Sequence, residues 1–228
     1  MTYFFKTFSG FALIILFCSL SAFGGEFETV LEKAERGDKN AQNYLALMYI
    51  KGQGVDRDVH QAIAWFKKAA DGGHVSAANS LGLLYYRGKG VAKNFSKAAQ
   101  WFTKAAEKGY TDAQYNLGLM YYLGRKDPFD GSGVDKDYVK ALKWFKKAAR
   151  QGHASAHNNI GIMYFNGHGV KQDLKKSYVW NYKAIALGNR NALSFRKKLL
   201  KKIPSQQLAE AKEEIAKLKE KESPEPDE

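Results

Sequence analysis

Ala77-Ala-Asn-Ser-Leu-Gly-Leu-Leu-Tyr-Tyr-Arg-Gly-Lys-Gly-Val91, followed by Ala98-Ala-Gln-Trp-Phe-Thr-Lys-Ala-Ala-Glu-Lys-Gly109, decides the fold. In the first stretch Ala77, Leu81, Leu84 and Tyr85 stand at offsets 0, +4, +7 and +8. That spacing is one face of a helix. In the second, Ala98, Trp101, Phe102, Ala105 and Ala106 stand at 0, +3, +4, +7 and +8, again a single helical face. Gly88-Lys-Gly90-Val91 interrupts both patterns and reads as the turn between two helices, an αα-hairpin.

The same unit occurs four times. Tryptophans fall at 65, 101, 144 and 180, separated by 36, 43 and 36 residues. The first-helix alanines are Ala41, Ala77, Ala113 and Ala156, and the tyrosines are Tyr49, Tyr85, Tyr121 and Tyr164. Each unit closes on a glycine, at Gly73, Gly109, Gly152 and Gly188. A fixed period of this length with two helices per unit predicts stacked hairpins, an α-solenoid. Seven extra residues, Arg125-Lys-Asp-Pro-Phe-Asp-Gly131, lengthen the third unit. Their turn-forming composition predicts a surface loop over 125–132 between the two helices. Offset +5 is Ala46, Gly82, Gly118 and Gly161. Glycine inside a helix costs about 1 kcal/mol relative to alanine. Its recurrence therefore predicts a neighbouring helix that crosses too close for a side chain.

Ala-x-x-x-Leu-Gly-x-Leu/Met-Tyr, Gly-x-Gly-Val and Ala-x-x-Trp-Phe-x-Lys-Ala-Ala together resemble the Sel-1-like repeat, an α/α relative of the tetratricopeptide repeat. The resemblance spans about residues 37–189. It implies an all-α, right-handed α/α solenoid of four hairpins. It also implies a non-catalytic adaptor or scaffold that binds a protein or peptide partner. The departures are the 125–132 insertion, Asn181 and Ile185 in the fourth unit, and the missing cysteines of the family's disulfide-rich secreted branch. That branch is linked to β-lactam binding or hydrolysis, which makes an enzyme of that kind the less favoured reading.

The flanks differ from the repeats. Residues 1–24 carry one charge, Lys6, and an apolar run from Phe8 to Leu20, followed by small residues around Ala22-Phe-Gly24. This reads as a secretory signal peptide, with an uncleaved anchor as the alternative. It predicts export, to the periplasm in a bacterium. Cys18 lies inside this segment and is the only cysteine, so neither a disulfide framework nor a multi-thiolate metal site is possible. Residues 25–37 keep the register of a second helix and read as an N-terminal half-repeat. Residues 190–221 read as capping helices: Ala192 keeps the first-helix alanine while Arg196 and Lys197 replace the Leu-Gly pair. A last helix is predicted from about Ser205, and the acidic end, 222–228, is predicted to be disordered.

Charge is uneven. The chain of 228 residues has a formal net charge of +13. Residues 205–228 hold eight acids against four lysines, leaving the excess cations on the body. The densest cluster is Arg196-Lys-Lys198 with Lys201 and Lys202. Such a patch is either a solvated cap or a dock for an anionic polymer or membrane surface. Export and the lack of a nucleic-acid motif argue against nucleic acid.

The sequence holds no His-Glu-x-x-His, no Gly-x-Ser-x-Gly and no phosphate-binding loop. No cofactor or small-molecule substrate is expected. His153 and His157 could face one metal ion from a helix, but His153 fills the slot that His74 and Tyr110 fill in other units, so no metal is expected either. Function should then sit on a surface. Opposite the packing stripe of the first helix lie offsets +2, +6, +9 and +10. In tetratricopeptide relatives the equivalent helix lines the concave groove. The resemblance therefore implies a groove built from Asn43, Ile50, Lys51, Asn79, Tyr86, Arg87, Tyr115, Tyr122, Asn158 and Phe165. Asparagines there could bond a ligand backbone, and the aromatic residues could supply contact area. The +6 residues, Leu47, Leu83, Leu119 and Ile162, could equally be core.

Overall fold

A computed structural model describes residues 25–127 and 130–222. The expected signal peptide and residues 223–228 of the expected disordered end lie outside them, while Glu222, expected in that end, closes the last helix. Eleven helices are present among the described residues: α1 (25–35), α2 (Lys39–Lys51), α3 (Val59–Asp71), α4 (Val75–Arg87), α5 (Phe95–Glu107), α6 (Thr111–Leu123), α7 (Tyr138–Arg150), α8 (Ala154–Asn166), α9 (Leu174–Ala186), α10 (Arg190–Leu200) and α11 (Ser205–Glu222). The architecture is an α/α solenoid fold. None of the described helices is long and apolar enough to cross a membrane. The chain divides between Asn94 and Phe95 into two compact units.

The first unit contains α1 to α4. Asp38 and Asp58 cap α2 and α3 by accepting hydrogen bonds from the second and third amides of each helix. His74 caps α4 through its ring, where Nδ1 accepts from the third amide alone, that of Ala77, at 3.2 Å. Such caps satisfy amides that have no partner inside the helix. Gly52 ends α2 in the left-handed conformation, φ +69°, where a side chain would be strained. Ala62, Trp65, Phe66, Ala69 and Ala70 form the buried face of α3, which packs on α2, where Leu45, Ala46 and Met48 are buried. The half-repeat helix α1 closes the end of this core. Phe27 meets Tyr49 edge to face at 5.8 Å, and Gln42 Nε2 donates to the Ala34 carbonyl at 3.0 Å.

The second unit runs from α5 to α11. The pairs α6–α7 and α8–α9 pack closely as hairpins. Fully buried Phe145 explains the mid-helix glycine of α6: a Cβ on Gly118 would come within 2.7 Å of the Phe145 ring. The sequence expectation of a close crossing is met, and the occupant is a phenyl ring. In α8 the occupant is backbone, because a Cβ on Gly161 would lie 3.2 Å from the Ser177 carbonyl oxygen. The described residues of the 125–132 segment lie outside the helices. Its ends zip together, with the Val134 amide donating to Arg125 O at 2.8 Å and the Asp127 amide to Ser132 O at 2.7 Å.

The lysine of the Trp-Phe-x-Lys motif has a shared task. Lys68, Lys104, Lys147 and Lys183 hold their ammonium groups 3.9, 5.0, 4.2 and 5.9 Å from the centres of Trp65, Trp101, Trp144 and Trp180. One helical turn separates the two residues, so a cation over the indole face follows from the spacing.

At the C-terminal end α10 begins 36 residues after α8, in first-helix register. Asn181, fully buried, stands where the other repeats have Phe66, Phe102 and Phe145. Its Nδ2 donates to the Ala192 carbonyl at 2.8 Å, and its Oδ1 accepts from Arg196 Nε at 2.9 Å. The Arg196 guanidinium lies 4.8 Å from the Tyr178 ring centre and 5.8 Å from that of Tyr182. Two departures from the repeat pattern therefore answer each other. Helix α11 packs on α9, not as a hairpin partner of α10. Lys175 pairs with Glu210 and Glu214, and Lys219 sits over Tyr182, so α9 and α11 run parallel.

Candidate functional site

In the first unit the outward faces of α2 and α4 border a cleft of about 280 Å³. Leu47 and Ile50 come from α2, and Ser80, Leu83, Leu84 and Arg87 from α4. Phe66 of α3 reaches the floor, and Lys89 follows the end of α4. The lining is mostly apolar and the rim is cationic, with Arg87 and Lys89 exposed. Of the sequence-predicted residues, Ile50 and Arg87 line this cleft. Asn43 is half-buried on α2, and its Oδ1 is buried without a hydrogen-bond partner among the described residues. Lys51 is exposed at the end of α2, and Tyr86 is half-buried on α4. Leu47 and Leu83, which the sequence left between core and groove, are cleft residues. Ser80, Leu84, Phe66 and Lys89 were not singled out as groove residues, because no offset in one repeat shows how two first helices border a gap.

Asn79 corrects the sequence reading. It is only 6% exposed, so its amide is an internal group and no rung of an open ladder. Asn158, 8% exposed, and Phe165, 4% exposed, in the second unit are corrected in the same way. Phe165 meets Phe195 of α10 edge to face at 5.4 Å and shares a core cluster with Leu199, Ile203, Ala211 and Ile215. The C-terminal helices cover it.

The two tyrosines of the second unit are half-buried and occupied by neighbours. Tyr115 stacks on His153 with ring centres 4.3 Å apart. The Tyr122 hydroxyl is 3.2 Å from His168 Nδ1, and Tyr138 stacks on the same His168 at 4.3 Å. Burial pushes the phenols of Tyr115 and Tyr122 above the usual tyrosine range, so both stay protonated at neutral pH. Tyr138 opens α7 where Val59, Phe95 and Leu174 open the other second helices, and His168 is the variable residue of a Gly-x-Gly turn, so neither belongs to the first-helix face from which the groove was read.

The histidines serve structure. His153 Nδ1 accepts from the Ala156 amide at 3.1 Å and caps α8. Its Nε2 is 3.7 Å from Asp112. His157 leans on Trp180, with ring centres 5.3 Å apart. Burial lowers the pKa of His153, against the opposing pull of Asp112, and burial lowers that of His157. Neutral imidazole is also the form whose Nδ1 can accept the capping bond. Among the described residues no three His, Cys, Asp or Glu side chains gather as a metal site.

A family model for the Sel1 repeat matches four consecutive segments, 39–74, 75–110, 111–153 and 154–189. The chain belongs to the Sel1 repeat family. Proteins of this Sel1 family generally mediate protein–protein interaction and are generally of the non-catalytic, scaffold kind. Among solved structures the chain is similar to c5321, described as a protective antigen present in uropathogenic Escherichia coli strains and displaying the same repeat fold. That match has 38% identity and a TM-score of 0.68, over 73% of this chain and 34% of that one. It is also similar to a Sel1 repeat protein from Oxalobacter formigenes, at 31% identity and a TM-score of 0.65, over 74% of this chain and 64% of that one. The chain thus spans about a third of the first protein and just under two thirds of the second. The search of curated proteins finds no match.

Proposed function

We propose that this Sel1 repeat protein is an adaptor without catalytic activity, and that it grips a protein or peptide segment in the α2–α4 cleft. The observation that carries this reading is the cleft itself. It is an apolar concavity on the first-helix face, rimmed by Arg87 and Lys89. The first-helix aromatic residues of α6 and α8 engage other side chains of their own unit instead. A surface concavity with apolar walls and a charged rim suits an extended segment that buries one or two apolar side chains and carries acidic neighbours. The leader-like composition of residues 1–24 supports a site of action outside the cytoplasm, in the periplasm or beyond.

The test is capture from a cross-linked cell envelope with tagged protein. An Ile50→Glu, Arg87→Glu variant runs beside the wild type, and circular dichroism first checks that it folds. A protein captured by the wild type and lost from the variant supports the reading. Equal capture by both removes the cleft from the account. N-terminal sequencing of the protein recovered from cells tests export: a start at Gly25 supports it, and an intact Met1 opposes a cleaved signal.

A further inference from the structure

In α2, α4, α6 and α8 the offsets +1 and +5 are buried: Gln42, Ala78, Gln114 and His157 at +1, and Ala46, Gly82, Gly118 and Gly161 at +5. In α6 and α8 the residue that meets the +5 position belongs to the second helix of the same hairpin, Phe145 or Ser177. In α10 these offsets are Leu193 and Lys197, and offset +8 is Leu200. Among the described residues no hairpin partner covers them, because α11 packs on α9. Leu193 is 53% exposed and Leu200 45% exposed, and Lys197 is exposed.

These residues make one face. At 100° per residue Arg190, Leu193, Lys197, Leu200 and Lys201 fall within an arc of about 100°. The stretch from Leu174 to Ala209 contains nine lysines and arginines and no aspartate or glutamate. Among the described residues no carboxylate lies within ion-pair distance of Arg190, Lys197 or Lys201. Lysine at +5 also bars the close helix approach that alanine or glycine allows in the other repeats, so the face is not built to receive a further hairpin of this kind.

We infer that the outer face of α10 docks the protein on an anionic lipid surface. Leu193 and Leu200 enter the headgroup boundary, and Arg190, Lys197 and Lys201 reach the lipid phosphates. Long lysine and arginine stems let the charge reach outward while the leucines go down. The charge complementarity favours lipid over a partner helix, since Lys197 holds any helix backbone away but finds phosphate at whatever depth its stem allows. The inference is independent of the cleft between α2 and α4.

The test is co-sedimentation of the full chain with vesicles of phosphatidylcholine alone and of phosphatidylcholine with phosphatidylglycerol, at low and high salt. Residues 1–24 are common to all variants, so they cancel in the ratio between the two vesicle types. The wild type should prefer the anionic vesicles, and salt should remove the preference. Lys197→Glu with Lys201→Glu should lower that preference by at least about thirtyfold. Leu193→Ser with Leu200→Ser, at unchanged charge, should weaken anionic binding as well. Lys67→Glu with Lys108→Glu, an equal charge change on exposed residues elsewhere, should do much less. Two outcomes overturn the inference. One is equal loss from both charge pairs, which makes the attraction diffuse. The other is no preference for anionic vesicles, and a leucine-dependent change of oligomeric state by light scattering would then make the face a protein contact.

Discussion

Restoring the repeat pattern at Asn181 should harm the protein. In the other three repeats this position is a buried phenylalanine, and in α7 its ring fills the space that Gly118 leaves open. In the fourth repeat that space is absent. The backbone of α9 approaches Gly161, and Ser177 Oγ donates to the Gly161 carbonyl at 2.8 Å. Asn181 instead reaches α10 through the Ala192 carbonyl and Arg196 Nε. A neutral hydrogen bond contributes about 1 kcal/mol, and one to a charged group about 1.5–3 kcal/mol. Asn181→Ala should therefore cost about 3 kcal/mol, which for a chain of this size lowers Tm by roughly 6–12 °C. Asn181→Phe loses the same bonds and adds overpacking of about 1–3 kcal/mol, so it should be the worse of the two. Urea denaturation followed by circular dichroism gives the ranking, and hydrogen exchange in α9 and α10 locates the loss. Arg196→Met tests the coupling: the double variant Asn181→Ala, Arg196→Met should cost less than the two single changes added. An Asn181→Phe protein that is more stable than the wild type would refute the reasoning, because the repeat register alone would then govern the site.

Further outcomes follow from single features. Gly118→Ala gains about 1 kcal/mol of helix propensity but drives a Cβ to 2.7 Å from the Phe145 ring at an overpacking cost of about 1–3 kcal/mol, so the net effect in thermal denaturation should be a loss of up to about 2 kcal/mol. Gly118→Ala with Phe145→Leu should recover part of it. Acidification gives a signed test. Burial depresses the folded-state pKa of His74, His153 and His157, so the unfolded chain binds protons first as pH falls through the ordinary histidine value of about 6.5. Tm should fall between pH 7.5 and pH 5.5, and His153→Asn, which keeps a capping side chain, should flatten that slope. The depressed carboxylates of Asp38 and Asp137, held down mainly by capping amides, add their own loss only in the acid range below about pH 4.

The repeat was legible because its signals are local. The alanine, tryptophan and glycine positions mark two helices and a turn without reference to any neighbour, and Gly118 foretold a close crossing. The slots at Asp38, His74, His153 and Asn189 turned out to be side-chain helix caps, a role the sequence had not assigned, and Tyr110 in the same slot makes no side-chain cap bond. The face of the first helix was legible only in part. Ile50 and Arg87 do line a cleft, while Phe165 shares its face in the repeat and yet is covered by α10 and α11. Periodicity says which residues point the same way. It does not say what the chain later lays over them. Asn181 and Arg196 were visible as two departures, but their pairing depends on how α10 docks on α9, and no spacing within one repeat encodes that. The bare outer face of α10 was hidden for the same reason, since Leu193 and Leu200 look like core until α11 is seen on α9.

In the proposed function the first-helix face between α2 and α4 holds the partner. The most direct test is a photo-cross-linking amino acid placed at Ile50, compared with the same group at exposed Lys67 on α3 of the same repeat. Illumination of living cells should yield a discrete covalent adduct from position 50, absent from position 67 and abolished by Arg87→Glu. An adduct from position 67 and none from position 50 would contradict the account and move the binding surface to the second helices.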